Sequence, residues 1–170
     1  MSRISVDGLV FDFVCGWTAS KFDEWTFYRR HFACIHEGIK AVDLLALSPD
    51  KTLYLIEVKD YRRHRREKRT PLIEEIVLKI CWTLAALPPA GINASNSGES
   101  TMARSFLGAK KFRVILHLEQ PRTPSKLFPR AFDPAKVRQK LRQTLRPVDP
   151  HSDVVESSRM GTVAGKWRVY

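Results

Sequence analysis

Apolar positions along the chain change period several times, and each change predicts a new element. Residues 6–15 form a short apolar run that carries Asp7, Gly8 and Asp12, the mark of an early strand or hairpin. Phe22, Trp25, Tyr28 or Arg29, and Phe32 then recur at helical spacing. Thr18 or Ser20 would cap that helix. Asp23 and Glu24 in its first turn and Arg29 and Arg30 near its end complement the helix dipole. Gly38 breaks the chain before the next apolar stretch.

Residues 41–47 and 52–59 are the clearest strands, joined by the turn Ser48-Pro49-Asp50-Lys51. A longer first strand over residues 35–47 is also compatible with the pattern. In the second strand, Leu53, Leu55, Glu57 and Lys59 share one face, and Tyr54, Ile56 and Val58 share the other. Apolar groups on both faces predict a central strand covered on both sides. A hairpin register that sets Asp43 across from Ile56 or Glu57 brings both carboxylates to one end, whereas a one-residue slip separates them.

Pro71 suits the first turn of a helix lined by Ile73, Ile76, Val77, Ile80, Leu84 and Leu87, which Pro88-Pro89 would end. Residues 90–105 are rich in Gly, Ser and Asn and read as a flexible loop. Residues 111–118 predict a further strand, with Phe112, Val114 and Leu116 on one face. Residues 119–130 form a Pro-rich connection. Asp133, or a residue beside it, would start a basic helix through Leu145 that Pro147 and Pro150 end. A polar stretch over 151–162 precedes a possible closing strand at 163–170. The whole is expected to be a single α/β domain spanning residues 1–170.

Composition then narrows the chemistry. Hydrophobic residues make up 44% of the 170 positions, enough to build a core and too many for a disordered chain. Lysine and arginine total 29 against 18 acids, a formal charge of +11, which favours a polyanionic partner. Nucleic acid suits this better than a membrane, because no apolar run approaches a spanning length and no N-terminal signal segment appears. Cys15, Cys34 and Cys81 are odd in number and sit in mainly apolar contexts, so buried thiols in a reducing, cytoplasmic setting are expected. His31, Cys34 and His36 are compactly spaced, but no second ligand pair with zinc-site spacing follows.

Charges within strand-like sequence are costly unless paired or bound to metal. Asp43, Glu57 and Lys59 meeting at one hairpin therefore suggest a Mg2+ site, with Mn2+ able to substitute, for phosphodiester hydrolysis. Asp43 and Glu57 would be the principal ligands, with the Val58 carbonyl an additional one. Lys59 would orient or deprotonate the attacking water and offset charge near the phosphate. A further acid completes the set: Glu24 is the first candidate, with Asp23 and Glu37 as rivals. The basic residues Arg62, Arg63, Arg65, Arg66, Lys68 and Arg69 that follow would hold nucleic-acid phosphates. Lys79 facing the site and a second patch of Arg138, Lys140, Arg142 and Arg146 are further candidates. A charged, solvated surface explains both equally well.

Asp43 followed one short turn later by Glu57-Val58-Lys59, with a helix before and another after, resembles the PD-(D/E)xK nuclease superfamily. The likeness spans residues 22–87. It departs from the family where Val42, not proline, precedes Asp43. The resemblance implies a restriction-endonuclease-like fold, a mixed central sheet flanked by helices, and metal-dependent nuclease activity with DNA favoured over RNA. The alternative is a non-catalytic nucleic-acid-binding protein that keeps the fold. A homodimer would suit cutting of both strands, and the chain is small enough to be a subunit of a defence or repair complex.

Overall fold

The computed structural model describes residues 2–63, 69–123 and 130–170. Strands β1 (Ser2–Val6) and β2 (Leu9–Phe13) form an antiparallel hairpin whose turn residues Asp7 and Gly8 both have positive φ, 48° and 81°. That pairing of turn conformations matches the twist of the strands it joins, and glycine at the second position adopts it freely. β3 (Thr18–Lys21), β4 (Leu44–Leu47), β5 (Thr52–Asp60), β6 (Lys111–Glu119) and β7 (Asp153–Val155) lie side by side in that order. β4 is antiparallel to both β3 and β5, while β6 runs parallel to both β5 and β7. β8 (Trp167–Val169) returns to pair with β2 and completes a small three-stranded sheet.

The two-residue alternation of β5 separates two cores. Leu53 and Leu55 pack with the helices α1 (Thr26–Arg30), α2 (Leu72–Asn93), α3 (Ser97–Leu107) and α4 (Pro134–Thr144). Tyr54, Ile56 and Val58 pack with Phe11, Phe13 and Trp167 of the small sheet. β5 is thus the covered central strand that its apolar faces imply. The chain is an α/β protein with a mixed five-stranded sheet flanked by helices. By length and mean hydropathy, 1.4, α2 could cross a membrane. Its residues Leu72, Ile76, Ile80, Leu87 and Ala90 are instead buried in the core, as in a soluble domain.

Five expectations are corrected. The helix expected from Thr18 is in fact strand β3, a 3-10 turn at Phe22–Glu24, and only then the short α1. Ser20 does not cap it; its hydroxyl accepts from Trp25 Nε1 at 2.7 Å. The extended stretch before the turn is only Leu44–Leu47, not residues 35–47. Pro88 and Pro89 do not end α2, which runs on to Asn93. Residues 90–105, expected as a flexible loop, hold the end of α2 and most of α3. Each proline removes a backbone donor. Packing holds the last turn: Ser100 Oγ and Arg104 Nη1 both donate to the Gly91 carbonyl, each at 2.9 Å, and staple the helices together. Finally, all three cysteines are exposed and free rather than buried. Cys15 follows β2 at a turn, Cys34 ends a 3-10 turn, and Cys81 lies on the outer side of α2.

Candidate active site

The hairpin β4–β5 sets the register that decides the site. Leu44 pairs with Ile56, so Asp43, one residue before the strand, comes level with Glu57. Asp43 is held on three sides. Its carbonyl accepts from Phe22 N at 3.0 Å, and Val42 N donates to Thr83 Oγ1 of α2, also at 3.0 Å. Its carboxylate Oδ2 accepts from Val58 N at 2.6 Å. In an extended strand the N–H and C=O of one residue leave on the same side, so the Val58 carbonyl also faces Asp43.

Glu57 is wholly buried, and its face of β5 looks onto α2. Two ammonium groups meet its Oε1: Lys59 Nζ at 2.6 Å and Lys79 Nζ at 2.6 Å. Lys79 also stands 3.6 Å from Asp43 Oδ1, and Lys59 reaches Glu75 Oε1 at 3.1 Å. The other oxygen of Glu57, Oε2, is buried without a hydrogen-bond partner. Burial, then the neighbouring Asp43 carboxylate, push the Glu57 carboxyl up to about 7 against the pull of Lys79 and Lys59. For Lys59, burial favours loss of the proton, but Glu57 and Glu75 outweigh it and raise the pKa. Lys59 therefore keeps its proton, which suits orienting a water better than deprotonating it.

The acids proposed to complete the set are placed differently. Glu24 points outward, its side chain 51% exposed, and pairs with Lys21 at 2.9 Å. Asp23 faces the cluster. Its Oδ1 is buried without a hydrogen-bond partner, and burial and then the Asp43 charge push it up to about 6. Glu37 is exposed. The first residue of the Asp23-Glu24 pair is turned inward because the chain there is a 3-10 turn and not an α-helical first turn.

Lys79 and Glu75 are drawn fully into the site from α2. Their signal lies in the sequence: Glu75, Lys79 and Thr83 recur every four residues beside the apolar Ile76 and Ile80, a buried polar stripe on a core helix. Of the basic segment, Arg65, Arg66 and Lys68 lie outside the described residues. Arg62 forms a two-pronged pair with Asp60, at 3.0 and 2.6 Å, and with Arg63 lines a cleft of about 460 Å³. Arg69 is exposed.

Among the described residues, no group of three His, Cys, Asp or Glu side chains is already set to hold a metal ion. Mg2+ asks for less, being held as a rule by one or two carboxylates with several retained waters. Two buried oxygens without partners, Glu57 Oε2 and Asp23 Oδ1, flank Asp43 and fit that donor set. Lys79 supplies positive charge to the same acids.

No family model and no solved structure matches the chain. It is 30% identical over 167 residues to a cysteine–tRNA ligase of Neisseria meningitidis serogroup A, an alignment that covers 81% of this chain and 24% of the ligase. The chain thus spans about a quarter of the length of that relative.

Proposed function

We propose that the chain is a metal-dependent nuclease that hydrolyses phosphodiester bonds, with DNA the favoured substrate. One observation carries the reading: a wholly buried glutamate keeps one oxygen without a partner, beside two further acids and two lysines. A structural salt bridge has no need of that surplus of acids, since buried charge is stable only when fully paired. Asp43, Glu57 and the Val58 carbonyl would hold Mg2+ or Mn2+, with Asp23 taking the place first given to Glu24. The ion would polarise the phosphate and lower the pKa of a bound water. Lys59, kept protonated by Glu57 and Glu75, orients that water through its ammonium group and neutralises charge on the phosphate. Lys79, at Glu57 Oε1 and close to Asp43, would add positive charge beside the phosphate.

The resemblance to PD-(D/E)xK nucleases supports DNA, and the net charge of +11 supports a polyanion of either kind. The similarity to part of a ligase that acts on tRNA keeps RNA in the test. A cytoplasmic setting belongs to the same proposal. The non-catalytic alternative draws on Lys59 and Lys79, which both meet Glu57 Oε1 and offset its charge.

Purified protein is incubated with plasmid, linear duplex, single-stranded DNA and RNA, with Mg2+, Mn2+ or chelator. Metal-dependent cleavage that is lost in D43A and K59A, both still folded, supports the nuclease. Cleavage that survives both substitutions rules out this site, and binding without product in every condition favours the non-catalytic protein.

A further inference from the structure

The arginines of α4 belong to a second feature, which the proposed chemistry leaves unused. Arg138 and Arg142 stand four residues, about 6 Å, apart along the helix, and Arg146 follows in the turn just past its end. With Gln139 and Gln143 they line a surface cleft of about 460 Å³ that contains no acid. Val137, Leu141 and Leu145, each one residue before an arginine, are buried in the core and leave Arg142 and Arg146 exposed beside them.

This cleft continues at both ends. Arg138 is shared with a cleft of about 220 Å³ at the ends of β6 and β7, where with Arg130 and Arg159 it outnumbers the acids Asp133 and Glu156 by three to two. Arg142 is shared with one of about 300 Å³ on the other face of the sheet, lined by Arg113, His151 and Lys166. Together they make one cationic track that wraps the β7 edge. It begins at the sheet end where Lys59 and Asp60 of β5 lie, two strands or about 10 Å away.

Several cations are pre-set. Asp149, wholly buried at its side chain, holds Arg113 at 2.7 Å, and buried Asp153 holds Arg138 at 3.0 Å. Arg142 Nε donates to the Ser152 carbonyl at 2.9 Å. Arg113 and Arg142 each spend one N–H on these contacts, while Arg138 is held by charge alone, and their other N–H groups can still be offered to a phosphate.

We infer that the track along α4 and around β7 is a binding surface for the sugar-phosphate backbone of a nucleic acid, leading to the acidic cluster. That the polyanion is a nucleic acid rests on the reading above; the track itself does not depend on cleavage. Successive arginines one helical turn apart can follow successive phosphates of one strand. Such contacts position a substrate without reading its sequence.

The test measures binding in chelator, so that no chemistry intervenes. Labelled duplexes of DNA and of RNA are titrated at several salt concentrations against wild type, R142Q/R146Q/K166Q and a control, R3Q/R30Q/K40Q, which loses the same charge outside the track. The track variant should bind about tenfold or more weakly at near-physiological salt, and its log–log salt slope should fall by about 3. R142K/R146K/K166R should restore most of the affinity. Whichever duplex shows the larger loss is the backbone this track serves. Equal losses in the track and control variants, or no loss in the track variant, overturn the inference. Failure of the nuclease reading looks different: wild type cuts nothing in Mg2+ or Mn2+, while the difference between track and control persists.

Discussion

Lys79 Nζ donates to Glu57 Oε1 at 2.6 Å, joining the core helix to the central strand where both side chains are out of water. Glu57 has no exposed surface and Lys79 very little. The pair replaces hydration that neither group could keep on folding. K79M should therefore destabilise the protein by about 3 kcal/mol, the lower end for a broken buried pair because Lys59 still meets the same oxygen. E57Q/K79M should recover part of that loss, since neither a charge nor its orphaned partner remains. Urea denaturation of the four proteins in chelator closes the cycle; additive losses would show that the two side chains are not coupled.

Asp23 and Glu24 are adjacent in sequence yet opposite in environment, which makes them a clean pair of substitutions. D23N should weaken Mn2+ binding by about tenfold or more, judged by calorimetry without nucleic acid. E24Q should leave it unchanged, because Glu24 is exposed and engaged only with Lys21. The reverse result would return Glu24 to the ligand set.

The same two residues show where sequence reading succeeds and where it stops. Asp43, Glu57 and Lys59 were legible because a strand's two-residue period fixes which side chains share a face, and the short Ser48-Pro49-Asp50-Lys51 turn constrains the register. Asp23 was not separable from Glu24, because helical spacing of Phe22, Trp25 and Phe32 also fits two 3-10 turns around a five-residue helix. α3 was missed for another reason. Its Gly, Ser and Thr have weak helix propensity, and the helix is stabilised by an Asn96 cap and by packing on α2 that no local pattern reports. β7 was hidden because Asp153 is polar, though buried through bonds to Thr162 and Arg138.

The acids also set a pH dependence. Asp23, pushed up to about 6, and Glu57, pushed up to about 7, bind protons more tightly folded than unfolded. Stability from each is full below the unfolded pKa near 4 and is lost as pH rises through the folded value. In chelator, the wild type should thus lose stability relative to D23N between about pH 4 and 6, by about 1–2 kcal/mol once solvent screening of this half-buried group is counted. E57Q should remove a similar decline that extends to about pH 7. Thermal melts across this range, compared pairwise, provide the check. Parallel curves for wild type and D23N would place Asp23 in an ordinary solvated setting.

Glu99 reaches from α3 to hold the start of α1, a contact between residues far apart in sequence. Its Oε1 accepts from Thr26 N at 2.7 Å and its Oε2 from Phe27 N at 3.0 Å. Trp25, at the N-cap position, offers no side-chain bond, so this carboxylate does the capping. E99A would leave two buried or half-buried donors unmet and should cost about 3 kcal/mol. E99Q keeps a single acceptor oxygen and should lose about half as much. Hydrogen exchange at Thr26 and Phe27 should quicken in the same order. Because α1 follows directly on the turn that carries Asp23, E99A should also weaken Mn2+ binding in the direction of D23N, with E99Q between it and wild type. If exchange quickens while Mn2+ affinity stays fixed, the cap stabilises α1 alone and Asp23 is held by its own contacts.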